Sequence, residues 1–278
     1  MLKKVSYYCL LALLLNPCLM VSSYGWNSLG HRLVAQIAYH HLTPHTRQVL
    51  NHYNHALDKV YRPQNLINSA AWLDSLRYQN DFWLGSKHYI NIPFSQDGTA
   101  LEPPAAENAV SAIKAAEKLM QTSLASDFDK GFTLRLLLHV AGDIHQPLHA
   151  ASQFSIRHPH GDKGGNLFSL GYNPIATNLH AYWDKGGGLL DTKKHYTSEQ
   201  LNRKAYSIEK RWPCQPKKMT LNPEVWANES HQLAVNNAYH IRPGEKPSRQ
   251  YQRMVKSLTE QRLALAGCRL ASLLNKLA

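Results

Sequence analysis

Along most of this chain apolar residues recur three and four positions apart, the spacing of a helix with one buried face. In "RLVAQIAYHHL" they fall at Leu33, Val34, Ile37, Ala38 and Leu42, and the following Thr43-Pro44 both stops that helix and starts the next. "SAAWLDSLRY" (69–78) and "AAENAVSAIKAAEKLMQ" (105–121) are further amphipathic runs, and another extends from Thr133 to Gln146. After a gap come "SEQLNRKAYSIEKRW", "PEVWANESHQLAVNNAY" and a long run from Ser248 to Leu277. The exception is 151–179, where "HPHGDKGGNLFSLGYNP" is rich in turn formers around a short β-capable stretch, Leu167 to Leu170. That region predicts a surface loop with at most one small hairpin. No internal repeat or linker divides the chain, so the pattern predicts one mostly α, multi-helix domain.

The first residues stand apart from this pattern. "MLKKVSYYCLLALLLNPCLMVSSYGWN" carries two lysines, an apolar run from Leu10 to Leu15, then Ser23 and Gly25 in the small-residue pattern of a cleaved signal peptide. Cleavage is expected after Gly25, which makes 1–25 a signal peptide and 26–278 the mature, secreted or periplasmic domain. An uncleaved anchor is the alternative, but the apolar run is too short to span a bilayer. Cys18 follows "LNP", without the small residues of a lipoprotein signal. Cys9 and Cys18 leave with the signal. An even pair, Cys214 and Cys268, remains in an oxidising compartment and suggests one disulfide, with two free buried thiols as the alternative.

Charge narrows the partners without choosing among them. The formal charge of +12 falls to about +10 when Lys3 and Lys4 depart, and 44% hydrophobic residues is ordinary for a globular domain. A basic exported protein favours polyanions: nucleic acid, anionic lipid headgroups or acidic glycans.

The candidate chemistry lies in "LLLHVAGDIHQPLHA" (136–150), where His139, Asp143, His145 and His149 interrupt an otherwise buried helix. His139 and Asp143, four apart, share one helix face, and Pro147 bends the chain so that His149 points elsewhere. "NLHAYWD" repeats the spacing with His180 and Asp184. Asp74 in "AAWLDSLR" and His88 in "SKHYIN" form a third pair, and His31 lies five residues after the expected new N-terminus. Four segments thus pair a His with an Asp or with a free amine, in apolar or aromatic company where unpaired charge is costly. His and Asp are ligands that suit zinc. Metal binding is the favoured reading of this set.

Trp26 with "GH" at 30–31, "AAWLDSLR", "KHYIN", "LLHVAGDIHQPLH", "GGN" and "NLHAYWD" resemble, in order, the motif series of the S1/P1 nucleases, zinc-dependent enzymes that cut single-stranded nucleic acid. That family is mostly α-helical and related in fold to the zinc phospholipases C. The resemblance implies three Zn2+ ions. Asp74, His88, His139 and Asp143 would hold the first; His149, His180 and Asp184 the second; His31 with the amine and carbonyl of Trp26 the third, bridged by Asp143. Three divalent ions against three carboxylates leave the site near +3, a setting for a phosphodiester. The implied reaction is attack of a zinc-bridging hydroxide on single-stranded DNA or RNA to give 5′-phosphates, with 3′-nucleotides as further substrates. No stable protein partner is implied, and a monomer is expected. Asp74 and Asp143 would be catalytic through the metals.

Around the metals, the resemblance assigns Tyr89 to stacking on a base beside the scissile phosphate. Asn91 replaces the aspartate of fungal members, so an amide that both donates and accepts would broaden or shift base preference. Asn166 in "KGGN" matches another base-pocket position. Arg77, one turn after Asp74, either clamps a phosphate or pairs with an acid. His145 falls outside the ligand set and is expected at the surface or behind the ligands. Two rivals stand beside this reading: a zinc phospholipase C, which supplies a glutamate where this chain has Asp184, and a non-catalytic zinc-binding protein, which would close its sites.

Overall fold

The computed structural model describes residues 25–77, 84–191 and 194–278. The expected signal residues 1–24 and Tyr78 lie outside that range. Ten α-helices make up most of it: α1 (Ser28–His41), α2 (Pro44–His55), α3 (Leu66–Ser69), α4 (Trp72–Arg77), α5 (Ala109–Gln121), α6 (Asp127–Asp143), α7 (Leu179–Asp184), α8 (Ser198–Arg211), α9 (Pro223–Leu233) and α10 (Arg249–Leu277). None is long and apolar enough to cross a membrane.

Helix ends follow local side-chain chemistry more closely than the apolar periodicity suggests. α6 begins six residues before Thr133 because Ser126 and Asp129 form a capping box ahead of its polar first turn. α5 begins at Ala109, later than expected, because Asn108 and Ser111 close the same kind of box. From Thr133 to Asp143 every residue of α6 is buried, as an internal helix requires. α1 and α10 cross closely beside it. A methyl group on Gly267 would stand 2.5 Å from Ile37 Cγ2 and 3.0 Å from the Val34 carbonyl, so the crossing needs a glycine.

The small sheet is not a hairpin within 151–179. Strand β1 (Ile92–Ser95) pairs in parallel with β2 (Ala151–Phe154), in register Ile92 to Ala151 through Ser95 to Phe154. The rest of 151–179 is the expected loop, with two isolated antiparallel bridges, Ser155 to His158 and Ser169 to Asn178. It is a surface loop only in part, since Asp162, Gly164, Gly165, Asn166 and Phe168 are buried. The Cys214–Cys268 disulfide, with Cα atoms 5.7 Å apart, ties the segment after α8 to α10 and excludes the free-thiol alternative.

Candidate metal centre and active site

Three ties bring the ligand-bearing segments together. The first is the Asn27 cap of α1. Its side chain accepts from Gly30 N (3.1 Å) and donates to the Leu190 carbonyl (2.7 Å), and its backbone N–H reaches the Asp184 carbonyl (3.3 Å). The start of α1, which carries His31, is thereby fixed to the end of α7. The second continues the β1–β2 pairing backwards: Ile90 N–H donates to the His149 carbonyl (2.8 Å), and His149 Nδ1 lies 2.6 Å from the His88 carbonyl. The third is Gln146, buried before Pro147. Its amide N–H donates to Asp184 Oδ1 (2.7 Å) and its oxygen accepts from Leu148 N (2.6 Å).

Around these ties the histidines converge with their tautomers set from behind. His139 Nδ1 lies 2.8 Å from the Ala70 carbonyl and His180 Nδ1 2.7 Å from the Gly164 carbonyl. An N–H donated to a carbonyl leaves Nε2 as a lone pair aimed into the centre, the usual arrangement behind a metal-ligating histidine. Gly142 makes room for His31: a methyl there would stand 2.9 Å from His31 Nδ1.

Asp143 is the hub. Its Oδ1 is 3.3 Å from His31 Nε2, and its Oδ2 is 2.9 Å from His88 Nδ1 and 3.2 Å from His139 Nε2. Asp74 Oδ1 lies 3.6 Å from His139 Nε2. On the other side His180 Nε2 is 3.2 Å from His149 Nε2 and 3.5 Å from Asp184 Oδ2. Three groups could each hold a metal ion, with ligand atoms mutually within 4.8 Å: His31, Asp74 and His139; His88, His139 and Asp143; and His149, His180 and Asp184. A fourth such group, His41 with Cys214 and Cys268, is occupied by the disulfide.

The electrostatics call for a cation. Burial alone would raise the Asp143 carboxyl, yet the facing His139, His149 and His31 outweigh it and hold it well below the usual range. His139 loses proton affinity to burial but regains more from Asp143 and Asp74, reaching about 9. Asp184 is pushed well up by burial and by the charges of Asp143 and Asp74. His31, stacked on His139 with ring centroids 3.7 Å apart, is pushed down by burial and by that neighbour. Carboxylates crowded away from water favour positive charge between them, and a metal ion answers this better than a shared proton. Buried Asp74 Oδ1 and Asp143 Oδ1 accept no hydrogen bond, and His31 Nε2 makes none although it lies 3.3 Å from Asp143 Oδ1, which leaves all three atoms available to a metal ion. The donor set therefore fits metal ions.

The Gly25–Trp26 junction lies in the centre. A methyl group on Gly25 would stand 1.5 Å from Asp143 Oδ1 and 3.0 Å from His31 Nε2, while the Trp26 side chain is fully buried. A model of S1/P1 nuclease matches residues 26–278, beginning at that junction. The chain belongs to the S1/P1 nuclease family. Similar proteins include endonuclease 2 of Arabidopsis thaliana, 26% identical over 285 residues with 91% of each chain covered. Nuclease S1 of Aspergillus oryzae is 27% identical over 286 residues, covering 92% of this chain and 93% of its own. Nuclease P1 of Penicillium citrinum is 27% identical over 165 residues, 57% of each chain. This family member is a nuclease, a hydrolase acting on ester bonds, with a mostly helical fold.

All of the sequence-derived ligands except the Trp26 amine, which would exist only after cleavage, are brought together as side chains. Tyr89 and Asn91 are half-buried on the segment between His88 and β1, and Asn166 is 9% exposed with its Nδ2 donating to the Lys163 carbonyl (2.8 Å). The side chain of Arg77 lies outside the described residues. His145 is not at the surface: it is wholly buried, 2.7 Å from the Ala141 carbonyl and 3.1 Å from Arg269 Nη1, behind the ligands. Burial, with Arg262 and Arg269 beside it, pushes it well below its ordinary value, so it stays neutral. Sequence reasoning missed Gln146 and Gly142. The signal was a polar residue and a glycine in a run that otherwise reads as core.

Proposed function

We propose that the mature chain is an exported zinc-dependent endonuclease, one domain of residues 26–278, that hydrolyses single-stranded DNA and RNA to 5′-phosphorylated products and also releases phosphate from 3′-nucleotides. The observation that carries this reading is the convergence of His31, Asp74, His88, His139, Asp143, His149, His180 and Asp184, with partnerless buried ligand atoms among them. Asp143, His139, His88 and Asp74 would hold one zinc ion; His149, His180 and Asp184 a second; His31 with the amine and carbonyl of Trp26 a third, with Asp143 shared between the first and third sets.

When bound, zinc supplies Lewis-acid charge and lowers the pKa of a coordinated water from about 15.7 to about 7. The chain's own residues do the rest. Asp143 turns one oxygen to His31 and the other to His88 and His139, so it would serve as a ligand together with either set. Gln146 holds Asp184 as an acceptor aimed at the second group. Tyr89 would stack on an unstacked base, which duplex does not offer, and Asn91 and Asn166 would hydrogen-bond to its edge. Arg77 would clamp a phosphate oxygen. Signal removal doubles as activation, because only cleavage frees the Trp26 amine beside His31 and Asp143.

The test uses purified mature protein on single-stranded DNA, RNA, duplex DNA and phosphatidylcholine, with zinc per chain measured alongside. Cleavage of both single-stranded substrates, lost together with bound zinc in Asp143→Asn, is the expected result. Lipid turnover alone would move the enzyme to phospholipase chemistry and overturn the reading. So would full activity in a chain that retains Gly25 and its upstream residues, for the Trp26 amine.

A further inference from the structure

A cavity of about 680 Å³ opens where β1 and β2 end. Its place relative to the metal centre follows from the parallel register. Both strands start beside the centre, β1 just after Tyr89 and Asn91 and β2 just after His149, and both run out to the cavity, which Gln96 and Phe154 line. The buried loop does the same, from Asn166 to Phe168. Five residues from Asn91 to Gln96 at about 3.3 Å each span roughly 16 Å. That is several nucleotide steps at the ~3.4 Å stacked spacing of a strand.

The cavity joins an apolar floor to free cations. Phe154, Phe168 and Tyr239 form the floor, and Leu167, 39% exposed, stands at the rim. Arg157 and Arg242 also line it; both are exposed, and neither forms an ion pair among the described residues. The two carboxylates of the lining keep their charge, but each is held by neutral donors and neither pairs with an arginine side chain among the described residues. Asp97 accepts from Thr99, Ser95 and the Ile156 N–H (3.0 Å), and Glu245 from the Arg242 N–H (3.1 Å). The segment that follows the lining is basic: from 242 to 256 stand Arg242, Lys246, Arg249, Arg253 and Lys256 against the single acid Glu245.

We propose that this cavity is a strand-holding subsite for polynucleotide substrate. It takes nucleotides several steps from the bond that is cut, with Arg157 and Arg242 on the phosphates and the apolar floor beneath the bases. The chemistry is that of sequence-tolerant single-strand binding, in which cations track the backbone and apolar surface receives the bases. The proposal rests on the nuclease reading. It adds that long strands are held at two places and short ones at one.

The experiment compares the mature enzyme with Arg157→Ala/Arg242→Ala on a long oligothymidylate and on a dinucleotide, across a range of salt concentrations. For the long strand, KM at low salt should rise several-fold. The slope of log KM against log salt should become shallower by about 1.4, because each phosphate that a cation neutralises on a single strand adds ~0.7 to it. The dinucleotide, too short to reach the cavity, should keep its kcat/KM, and Arg157→Lys/Arg242→Lys should restore the slope. An unchanged slope, or an equal loss on both substrates, overturns the subsite while leaving the nuclease reading in place. A wild-type enzyme that cuts neither substrate would instead overturn the nuclease reading.

Discussion

Deleting one hydroxyl tests whether the buried Asp162–Tyr239 pair sets the loop that orients His180. Tyr239→Phe keeps the ring, whose edge contacts to Phe94 and Phe168 have centroid separations of 4.9 and 5.8 Å, and removes only the donor. The phenol oxygen lies 3.0 and 2.9 Å from the two Asp162 carboxylate oxygens, but it carries one proton, so one hydrogen bond to a charged acceptor disappears. At 1% exposure Asp162 has no water to replace it, which sets the cost at about 1.5 to 3 kcal/mol. At 2 to 4 °C per kcal/mol for a domain of this size, melting should fall by roughly 3 to 12 °C. The loss has a pH signature. Burial raises the Asp162 carboxyl above its ordinary 3.8, so its contribution favours the folded state most below that value and is lost as pH rises through the folded pKa. Removing the tyrosine donor raises that pKa further. The variant's deficit should therefore be largest at neutral pH and shrink on acidification. Urea unfolding of chelator-treated protein at about pH 7.5 and about pH 4 measures both. A deficit under ~0.5 kcal/mol at neutral pH, or an equal one at both, would refute the reasoning.

Three further outcomes are expected. Gly164→Ala places a side chain at φ +64° with its Cβ 2.4 Å from the Leu148 carbonyl; it should cost about 2 kcal/mol or more and lower the metal retained per chain after dialysis, because the Gly164 carbonyl orients His180. Glu209→Gln removes the partner whose hydrogen bond raises His40 above 6.5; that stabilisation is complete below 6.5 and fades as pH rises through the raised value, so a deficit of about 1 kcal/mol near pH 6 should shrink near pH 9 in chemical denaturation. Cys214→Ser/Cys268→Ser opens a loop with a sequence separation of 54, worth about 4 kcal/mol by chain entropy, and an unchanged melting temperature would contradict that role.

Much of the centre was legible in the sequence because it is built from local spacings. His139 with Asp143 and His180 with Asp184 sit four apart on helices, and that spacing alone puts each pair on one face. Long amphipathic runs identified the major helices for the same reason, while their ends moved with caps such as Ser126–Asp129. The short elements were not legible. β1 and β2 are four residues each, and a parallel pair joins segments far apart in sequence, so neither carries a periodicity that names its partner.

By itself the sequence determined the helical fold class, the His and Asp ligand types and the family motifs, since these depend on residue identity and near-neighbour spacing. Only the tertiary structure decided how segments distant along the chain meet. It placed Gln146 on Asp184, the Gly164 carbonyl on His180, and Gly25 against Asp143 and His31. It also decided between the two places expected for His145, which is not at the surface but behind the ligands as a buried neutral partner of Arg269, an arginine contributed by α10, 124 residues away. The physical reason is that burial and hydrogen-bond partnership are properties of packed neighbours, and packing between remote segments leaves no trace in local pattern.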